Sequence, residues 1–163
     1  MRQAKDEAFR SSSTSPLSEA KLASFSGLRY FDPDPDYVVE ATYTASSAPD
    51  TIVMQTSSKE PRQAVRAGVF RFEIQGRTLK LNAYTFAGGE GTSFFVPFTD
   101  KTTGNETYYA GRYLDVPKVD GNDYVLDFNV AYNPYCAYND RYSCPLVPAE
   151  NDLPIAIRAG EKK

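Results

Sequence analysis

The chain has 163 residues, 41% of them hydrophobic and 24% charged, an ordinary composition for a soluble protein. One domain of this length should bury roughly 70% of its unfolded surface. Its net charge of −3 provides no basic surface for DNA, RNA or an anionic membrane, so we expect no nucleic-acid partner.

The chain contains no histidine, which excludes Ser-His-Asp and Cys-His catalysis, His-rich zinc sites, haem held by an axial His, and the non-haem iron facial triad. Any general acid or base would have to be Asp, Glu, Lys, Tyr or Cys with a strongly shifted pKa, which makes an enzyme less expected.

The first 28 residues predict a helical N-terminal arm packed on the rest of the chain. Good helix formers occupy residues 1–10, and Ser15 with Pro16 supplies the N-cap and the first position of a second helix. Gly27 would end that helix, whose apolar face would consist of Leu17, Leu22 and Phe25. Residues 29–163 are then expected to form a single β domain that ends in a loop rich in Pro, Tyr and Cys.

The N-terminal residues restrict the cellular compartment of the protein only in part. Residues 1–10 are charged and lack the apolar core of a secretory signal. No run of about 18 apolar residues occurs, so the sequence predicts no transmembrane segment. The chain is expected to be either cytoplasmic or a mature exported domain from which a leader was removed.

From residue 37 onward the apolar residues alternate with a period of two, which is typical of β-strands. The segments with this alternation are 39–43, 68–74, 79–83, 93–98, 124–128 and 153–157. Gln75-Gly76 and Asp120-Gly121 have the composition of tight turns, and residues 88–91 are predicted to be a hairpin loop rather than a phosphate loop. The pattern predicts a mainly β protein, an antiparallel sandwich or barrel-like domain with a short helical N-terminal arm.

Three long segments in the second half of the chain resemble a known family. They read FVPFTDKTTGNETYYAGRYLDV at 95–116, DFNVAYNPYCAYN at 127–139 and YSCPLVPAENDLPIAIRAGE at 142–161. The chain is similar to the short form of a bacterial domain of unknown function catalogued as number 1684. The resemblance implies no reaction, cofactor or catalytic residue, because none is established for the family. A function placed in the additional N-terminal portion of the longer form is expected to be absent here.

The motif positions of this family carry many polar side chains, which cost free energy to bury unless each finds a partner. Such a dense set implies either a satisfied internal network or an open site. Arg112 is the natural hub, because its planar guanidinium could bind Asp127 or Glu150 bidentately, or hold a carboxylate or phosphate of a ligand. The candidate ligand-binding residues are Asp100, Thr107, Arg112, Tyr113, Asp127, Asn129, Tyr132, Asn133, Cys136, Tyr138, Glu150 and Asn151.

Three functions of different classes are compatible with these residues. The first is a module that binds a small polar or anionic ligand in a pocket built from the C-terminal motifs. The second is a histidine-independent hydrolase or lyase that uses Asp127, Glu150 or Cys136, with Arg112 as an electrostatic stabiliser. The third is a structural or interaction domain with an unknown protein partner, in which the C-terminal motif is a loop clamp. No cofactor or metal is predicted, since nothing in the spacing of the acidic residues specifies a cation site.

The only two cysteines, Cys136 and Cys144, lie eight positions apart around a tyrosine-rich loop. If the protein is exported, a disulfide is the expected state. If it is cytoplasmic, the two residues would be reduced buried thiols or, less commonly, a reactive pair with a lowered pKa. The sequence leaves both readings open.

Overall fold

One helix and six antiparallel strands form the framework of the computed structural model, which describes residues 2–11, 15–17, 21, 25, 27–86, 91–139 and 142–163. The helix α1 covers Arg2–Arg10, and the strands are β1 (Val38–Met54), β2 (Arg62–Ile74), β3 (Arg77–Phe86), β4 (Ser93–Phe98), β5 (Arg112–Pro117) and β6 (Asp123–Asp127). The strands form one sheet in the order β5-β4-β3-β2-β1-β6. Short 3-10 helices lie at Pro35–Tyr37, Phe128–Val130, Tyr135–Ala137 and Ala149–Asn151. The predicted mainly antiparallel β fold with a helical arm is confirmed.

The sheet is nearly closed, because the chain that follows β6 returns to β5 at the other end of the strand order. Tyr113 in β5 donates its backbone N–H to the carbonyl of Tyr132 at 2.8 Å, and it accepts from the Tyr132 N–H at 3.0 Å. These two hydrogen bonds join the edge strand β5 to the chain that follows the other edge strand, β6. The architecture is therefore barrel-like, the second of the two predicted forms.

The interior of the sheet is filled by alternate side chains from successive strands. Phe70, Leu81, Val96 and Leu126 come from four different strands and are all fully buried. Because side chains of a strand point alternately to its two faces, the period of two in the sequence is the period of burial in the structure. This explains why alternation alone located most of the strands.

Of the two predicted tight turns, the one at Gln75-Gly76 is confirmed, whereas residues 120–122 form a bend. Gln75 and Gly76 have φ angles of 54° and 74°, the left-handed pair that a two-residue hairpin between β2 and β3 needs. Gly121 has φ 84° and precedes β6. Most of the glycine-rich loop, residues 87–90, lies outside the described residues.

Alternation of apolar residues failed to predict the full length of one strand and the existence of another. β1 continues well beyond the predicted residues 39–43, and most of its later side chains are exposed, so no apolar face is needed there. β5 was not predicted, because Arg112, Tyr113 and Leu114 are buried in succession and therefore show no alternation.

The predicted last strand at 153–157 is wrong. Leu153, Ile155 and Ile157 are buried as their alternation requires, but they lie in irregular chain. Backbone and side chains share the pairing of this segment. The Leu153 N–H donates to the Thr99 carbonyl at 2.8 Å, and the Ile155 carbonyl accepts the Lys101 N–H at 3.0 Å. Asp100 accepts the Ile157 N–H at 2.6 Å, and Arg112 donates to the Ile157 carbonyl at 2.8 Å. The backbone of this segment is thus hydrogen-bonded although the segment does not form a regular strand.

The N-terminal arm packs through α1. Phe9 is 2% exposed, and its ring lies 6.0 Å from that of Phe25 and 4.9 Å from that of Tyr138. Residues 18–20, 22–24 and 26, which make up most of the predicted second helix, lie outside the described residues. The boundary at residue 28 stays a prediction. No helix in the described ranges has the length and apolar character to cross a membrane.

Candidate functional site

Arg112 lies at the centre of a buried polar network. Its side chain is 1% exposed, and its Nη2 lies 3.5 Å from Oδ2 of Asp100, which is also buried. Nη2 donates to the carbonyl of Ile157 at 2.8 Å, while Nη1 donates to the carbonyl of Ala159 and, at 3.3 Å, to that of Glu161. Burial lowers the pKa of the Arg112 guanidinium, and the nearby carboxylates of Asp100 and Glu161 oppose that change.

The acidic partner of Arg112 differs from the expected one. Asp127 or Glu150 was predicted, and that pairing is wrong, because Asp100 occupies the position. The reason is strand register: Phe98 at the end of β4 is opposite Arg112 at the start of β5, so the chain leaving β4 brings Asp100 beside the guanidinium.

The carboxylate of Asp100 is fully engaged within the protein. It accepts hydrogen bonds from the Thr102 hydroxyl at 2.9 Å and the Thr103 hydroxyl at 3.0 Å, in addition to the Ile157 N–H. The hydroxyl of Thr107, which is completely buried, lies 3.0 Å from that of Thr102. Asp100, Thr107 and Arg112 therefore have internal partners that anchor the C-terminal segment to the sheet.

Asp127 and Asn129 form a separate loop clamp. The Asp127 carboxylate accepts from the Asn129 backbone N–H at 2.9 Å and caps the 3-10 helix that follows β6. The Asn129 side chain donates to the Asp34 carbonyl at 2.8 Å and accepts from the Asp34 N–H at 2.9 Å. This reciprocal pair ties the chain before β1 to the end of β6.

Glu150 and Asn151 are adjacent in sequence but have different surroundings. Glu150 binds Arg66 through both carboxylate oxygens, at 2.8 and 3.0 Å, and accepts a hydrogen bond from the Tyr84 hydroxyl. Burial and this contact with Glu150 raise the pKa of Tyr84. Asn151 is fully buried and bonds to the backbone of Asn82 and Pro97, in β3 and β4.

Asn133 and Tyr138 surround a buried carboxylate that sequence reasoning did not select. Glu161 is fully buried, and it accepts hydrogen bonds from Lys5 Nζ, the Tyr138 hydroxyl and, at 3.2 Å, the Asn133 N–H. Burial, together with the charge of Glu161, raises the pKa of Tyr138. Nothing in the sequence around Glu161 indicates burial, because Gly160 and Lys162 are typical of exposed chain.

Tyr113 and Tyr132 line a cavity of about 790 Å³, which we call the aromatic pocket. It lies between β3–β5 and the chain from Val130 to Pro145. Seven aromatic side chains contribute to its wall: Phe86, Phe94, Phe95, Tyr113, Tyr132, Tyr135 and Tyr142. The rings of Phe95 and Tyr113 meet edge to face, with centroids 4.6 Å apart. Of the predicted site residues, these two tyrosines alone line the pocket.

The polar groups of Tyr113 and Tyr132 are already occupied. The Tyr113 hydroxyl donates to the Pro145 carbonyl, and the Tyr132 hydroxyl donates to Asp115 at 2.8 Å. Burial raises the pKa of both tyrosines, so their hydroxyls stay protonated at neutral pH. The pocket therefore presents mainly the faces and edges of rings.

Two cationic side chains of the described residues line the aromatic pocket, and neither was predicted to be a site residue. Arg62 is exposed and lies over the Phe86 ring, 4.0 Å from its centroid, and it has no ion pair within the described residues. Lys5 lies 5.2 Å from the centroid of the Tyr132 ring but is bound to Glu161. The register of β2 and β3 would have located Arg62. Ala64 is opposite Phe86, and Arg62, two residues before Ala64, lies on the same face of β2.

Cys136 and Cys144 lie at disulfide distance, with their Cα atoms 6.3 Å apart. Cys136 is in the 3-10 helix at Tyr135–Ala137, and Cys144 contributes to the wall of the aromatic pocket. Residues between them include Tyr142, which also lines the pocket. A bond between the two sulfurs would hold this wall in place.

We expect replacement of both cysteines by serine to lower the free energy of unfolding by about 2–3 kcal/mol, because a short loop is no longer closed in the unfolded chain. Urea unfolding of the two proteins without reductant measures this difference. Intact mass after alkylation is the direct check: no added label is expected for protein purified without reductant, and two added labels would contradict the disulfide.

The acidic residues of the family motifs do not converge on a possible cation site. Asp100, Asp127 and Glu150 are in the three separate networks described above. Within the described ranges, no group of three or more Cys, Asp or Glu side chains is arranged to hold a metal ion.

Comparison with known proteins found a matching family and a similar solved structure, neither of which has a described function. A family model described as "Protein of unknown function (DUF1684)" matches residues 23–162. The solution NMR structure of an uncharacterized protein from Haloarcula marismortui is similar, with 41% sequence identity and a TM-score of 0.79. The match covers 99% of this chain and 90% of that one. No curated protein matches the sequence.

Proposed function

The chain belongs to the DUF1684 family of proteins of unknown function, and we propose that it is a binding module whose aromatic pocket takes a small molecule with a flat apolar body and one anionic group. The observation that carries this proposal is the concentration of seven aromatic side chains around one cavity, next to an arginine without an ion pair in the described residues. Ligand sites are commonly apolar clefts in which a few polar groups fix orientation.

The walls support an apolar, flat ligand body. The hydroxyls of Tyr113 and Tyr132 are bound to Pro145 and Asp115, so what they offer a ligand is ring surface. Rings favour stacked or edge-to-face contact with another aromatic system. The cavity volume of about 790 Å³ is in the range usual for small-molecule sites.

The charges support an anionic group at one end of the ligand. Lys5 is neutralised by Glu161, which leaves Arg62 as the cation available to a ligand. The Asp115 carboxylate, which accepts the Tyr132 hydroxyl, keeps its negative charge, so the anionic group of a ligand is expected beside Arg62 and away from Asp115. A guanidinium binds a carboxylate or phosphate through two parallel hydrogen bonds. The expected ligand is therefore an amphipathic anion, a narrower class than the small polar or anionic molecule expected from the sequence.

The other two functions have weaker support. In the enzyme hypothesis Arg112 would act with Asp127, Glu150 or Cys136, but Arg112 is paired with Asp100, Glu150 with Arg66, and Cys136 with Cys144. A purely structural domain agrees with the internal partners of Asp100, Asp127 and Asn151. It leaves the aromatic pocket and Arg62 unexplained.

Naphthalene-2-carboxylate and its neutral analogue 2-naphthylmethanol test the proposal by titration calorimetry. We expect the carboxylate to bind about tenfold or more tightly than the alcohol, since charge-assisted hydrogen bonds add about 1.5–3 kcal/mol. Arg62→Met should remove this preference and leave binding of the alcohol unchanged.

Arg77→Met is the matched control, because Arg77 is an exposed arginine at the start of β3 and does not line the pocket. It should bind both probes as the unmodified protein does. Equal affinity of the two probes for the unmodified protein, or the same loss in the Arg77 and Arg62 variants, would contradict the proposal.

A further inference from the structure

In the ion pair between Lys5 and Glu161, the Lys5 ammonium resembles a ligand bound in a preformed carboxylate site. Glu161 is fully buried, with Oε2 occupied by the Tyr138 hydroxyl and the Asn133 N–H, and Oε1 bound by the Lys5 ammonium. The same ammonium lies 5.2 Å from the centroid of the Tyr132 ring. A carboxylate beside an aromatic face is a favourable environment for an alkylammonium ion.

The site and its occupant come from different parts of the chain. Glu161, Tyr138, Asn133 and Tyr132 all lie within residues 23–162, the region matched by the family model. Lys5 precedes that region, in the nine-residue helix α1. The sheet domain thus forms the carboxylate site, and a peripheral helix supplies the cation that fills it.

α1 is attached to the domain through Arg2, Asp6 and Phe9, and the Arg2 guanidinium donates to the carbonyls of Phe31 at 3.0 Å and Asn129 at 3.2 Å. Phe9 packs against the rings of Tyr135 and Tyr138, and Asp6 accepts the Leu28 N–H at 3.0 Å. A helix of this length is marginal in water without such contacts. The Lys5 side chain is 27% exposed whereas Glu161 is fully buried, so Lys5 stands between the carboxylate and solvent.

Space for a larger occupant exists at the same place. A cavity of about 440 Å³ is lined by Lys5, Tyr30, Tyr132 and Glu161, and it adjoins the aromatic pocket through Lys5, Val130 and Tyr132. The Tyr30 hydroxyl is buried, and it has no hydrogen-bond partner in the described residues. Buried polar groups usually have partners, so this hydroxyl is a further contact for a ligand.

We propose that Glu161, Tyr138 and Tyr132 form a binding site for the primary ammonium group of a small alkylamine, and that Lys5 occupies this site as an intramolecular ligand. An external ammonium would replace Lys5 on Glu161, and α1 would move away from the cavity. This inference does not depend on the anion expected at Arg62, because the two groups have opposite charge and different partners.

The test is binding of n-butylammonium to the full chain by titration calorimetry, in the unmodified protein and in Phe9→Ala. Phe9→Ala loosens α1 and keeps every group of the site. We expect it to bind n-butylammonium about tenfold more tightly, because the apparent affinity of a covered site is reduced by the fraction of molecules in which it is open. Tyr109→Ala, which removes an exposed ring elsewhere, should bind as the unmodified protein does.

Lys5→Ala provides a second variant in which the site is empty and α1 keeps its aromatic anchor. Millimolar n-butylammonium should raise its Tm, while n-butanol and tetramethylammonium should not, since the first lacks charge and the second lacks N–H donors. Adding Glu161→Gln should abolish binding in both variants. Failure of both Phe9→Ala and Lys5→Ala to bind n-butylammonium more tightly than the unmodified protein, or binding that persists with Gln at position 161, would overturn the proposal.

Discussion

Replacing Arg112 by methionine is expected to lower the free energy of unfolding by about 3–5 kcal/mol, because it leaves the buried carboxylate of Asp100 without its cation. The same change removes the donors of three backbone carbonyls, those of Ile157, Ala159 and Glu161. Urea unfolding followed by circular dichroism measures the loss. The C-terminal segment should also lose amide protection first, since Arg112 is what binds it to β5.

Three further variants distinguish the loss of the buried pair between Arg112 and Asp100 from a general effect of removing a charge. Arg112→Lys should be nearly as damaging, because a single ammonium cannot reach the carbonyls that the guanidinium spans. Arg158→Met, in contrast, removes a pair between exposed side chains and should cost less than about 1 kcal/mol. The double variant with Asp100→Asn should cost less than the sum of the single variants, and full additivity would contradict the coupling.

Replacing Asn151 by alanine is the second change expected to have a large effect, about 3–5 kcal/mol, since each unsatisfied buried polar group costs about 1–3 kcal/mol. The Asn151 side chain accepts the Asn82 N–H at 2.9 Å and donates to the carbonyls of Asn82 and Pro97 at 3.0 and 2.7 Å. β3 and β4 are paired directly at Tyr84 and Phe95. Beyond that pair the amide of Asn151 bridges the two strands in place of backbone hydrogen bonds.

Chemical denaturation and hydrogen exchange at the Asn82 amide check this expectation. Asn151→Asp has the same shape but loses both donors, so it should be no more stable than the alanine variant. Asn105→Ala is the matched control, because the Asn105 side chain is exposed and makes one hydrogen bond of 3.3 Å to Lys101, and it should change stability by less than about 0.5 kcal/mol. An Asn151→Asp protein as stable as the unmodified one would show that the bridge is unimportant.

These contacts explain why the family motifs are so polar. Asp100, Asp127 and Asn129 satisfy backbone groups in irregular chain, and Asn151 satisfies backbone groups where β3 and β4 are not paired directly. A C-terminal half with little regular structure needs such partners, because buried backbone N–H and C=O groups must be paired. A motif of polar residues is thus compatible with a structural role, and the proposed ligand contacts lie mostly elsewhere.

The sequence by itself determined the fold class and the local elements. Alternation located most of the strands, and Gln75-Gly76 located a hairpin, because the pleat of a strand and the φ angles of a tight turn depend on neighbouring residues. The family, too, could be identified from the motifs. Where burial did not alternate, as at 112–114 in β5, this local signal was absent.

Only the tertiary structure decided which residues meet. Sequence reasoning identified Arg112 as a hub but not Asp100 as its partner, because that contact follows from the register of β4 and β5. It could not unite Arg62 with Tyr113 and Tyr132 in one pocket, or place Lys5 on Glu161, since both arrangements join segments far apart in the chain. Periodicity reports which face of an element is buried, whereas a site depends on which faces the closed sheet brings together.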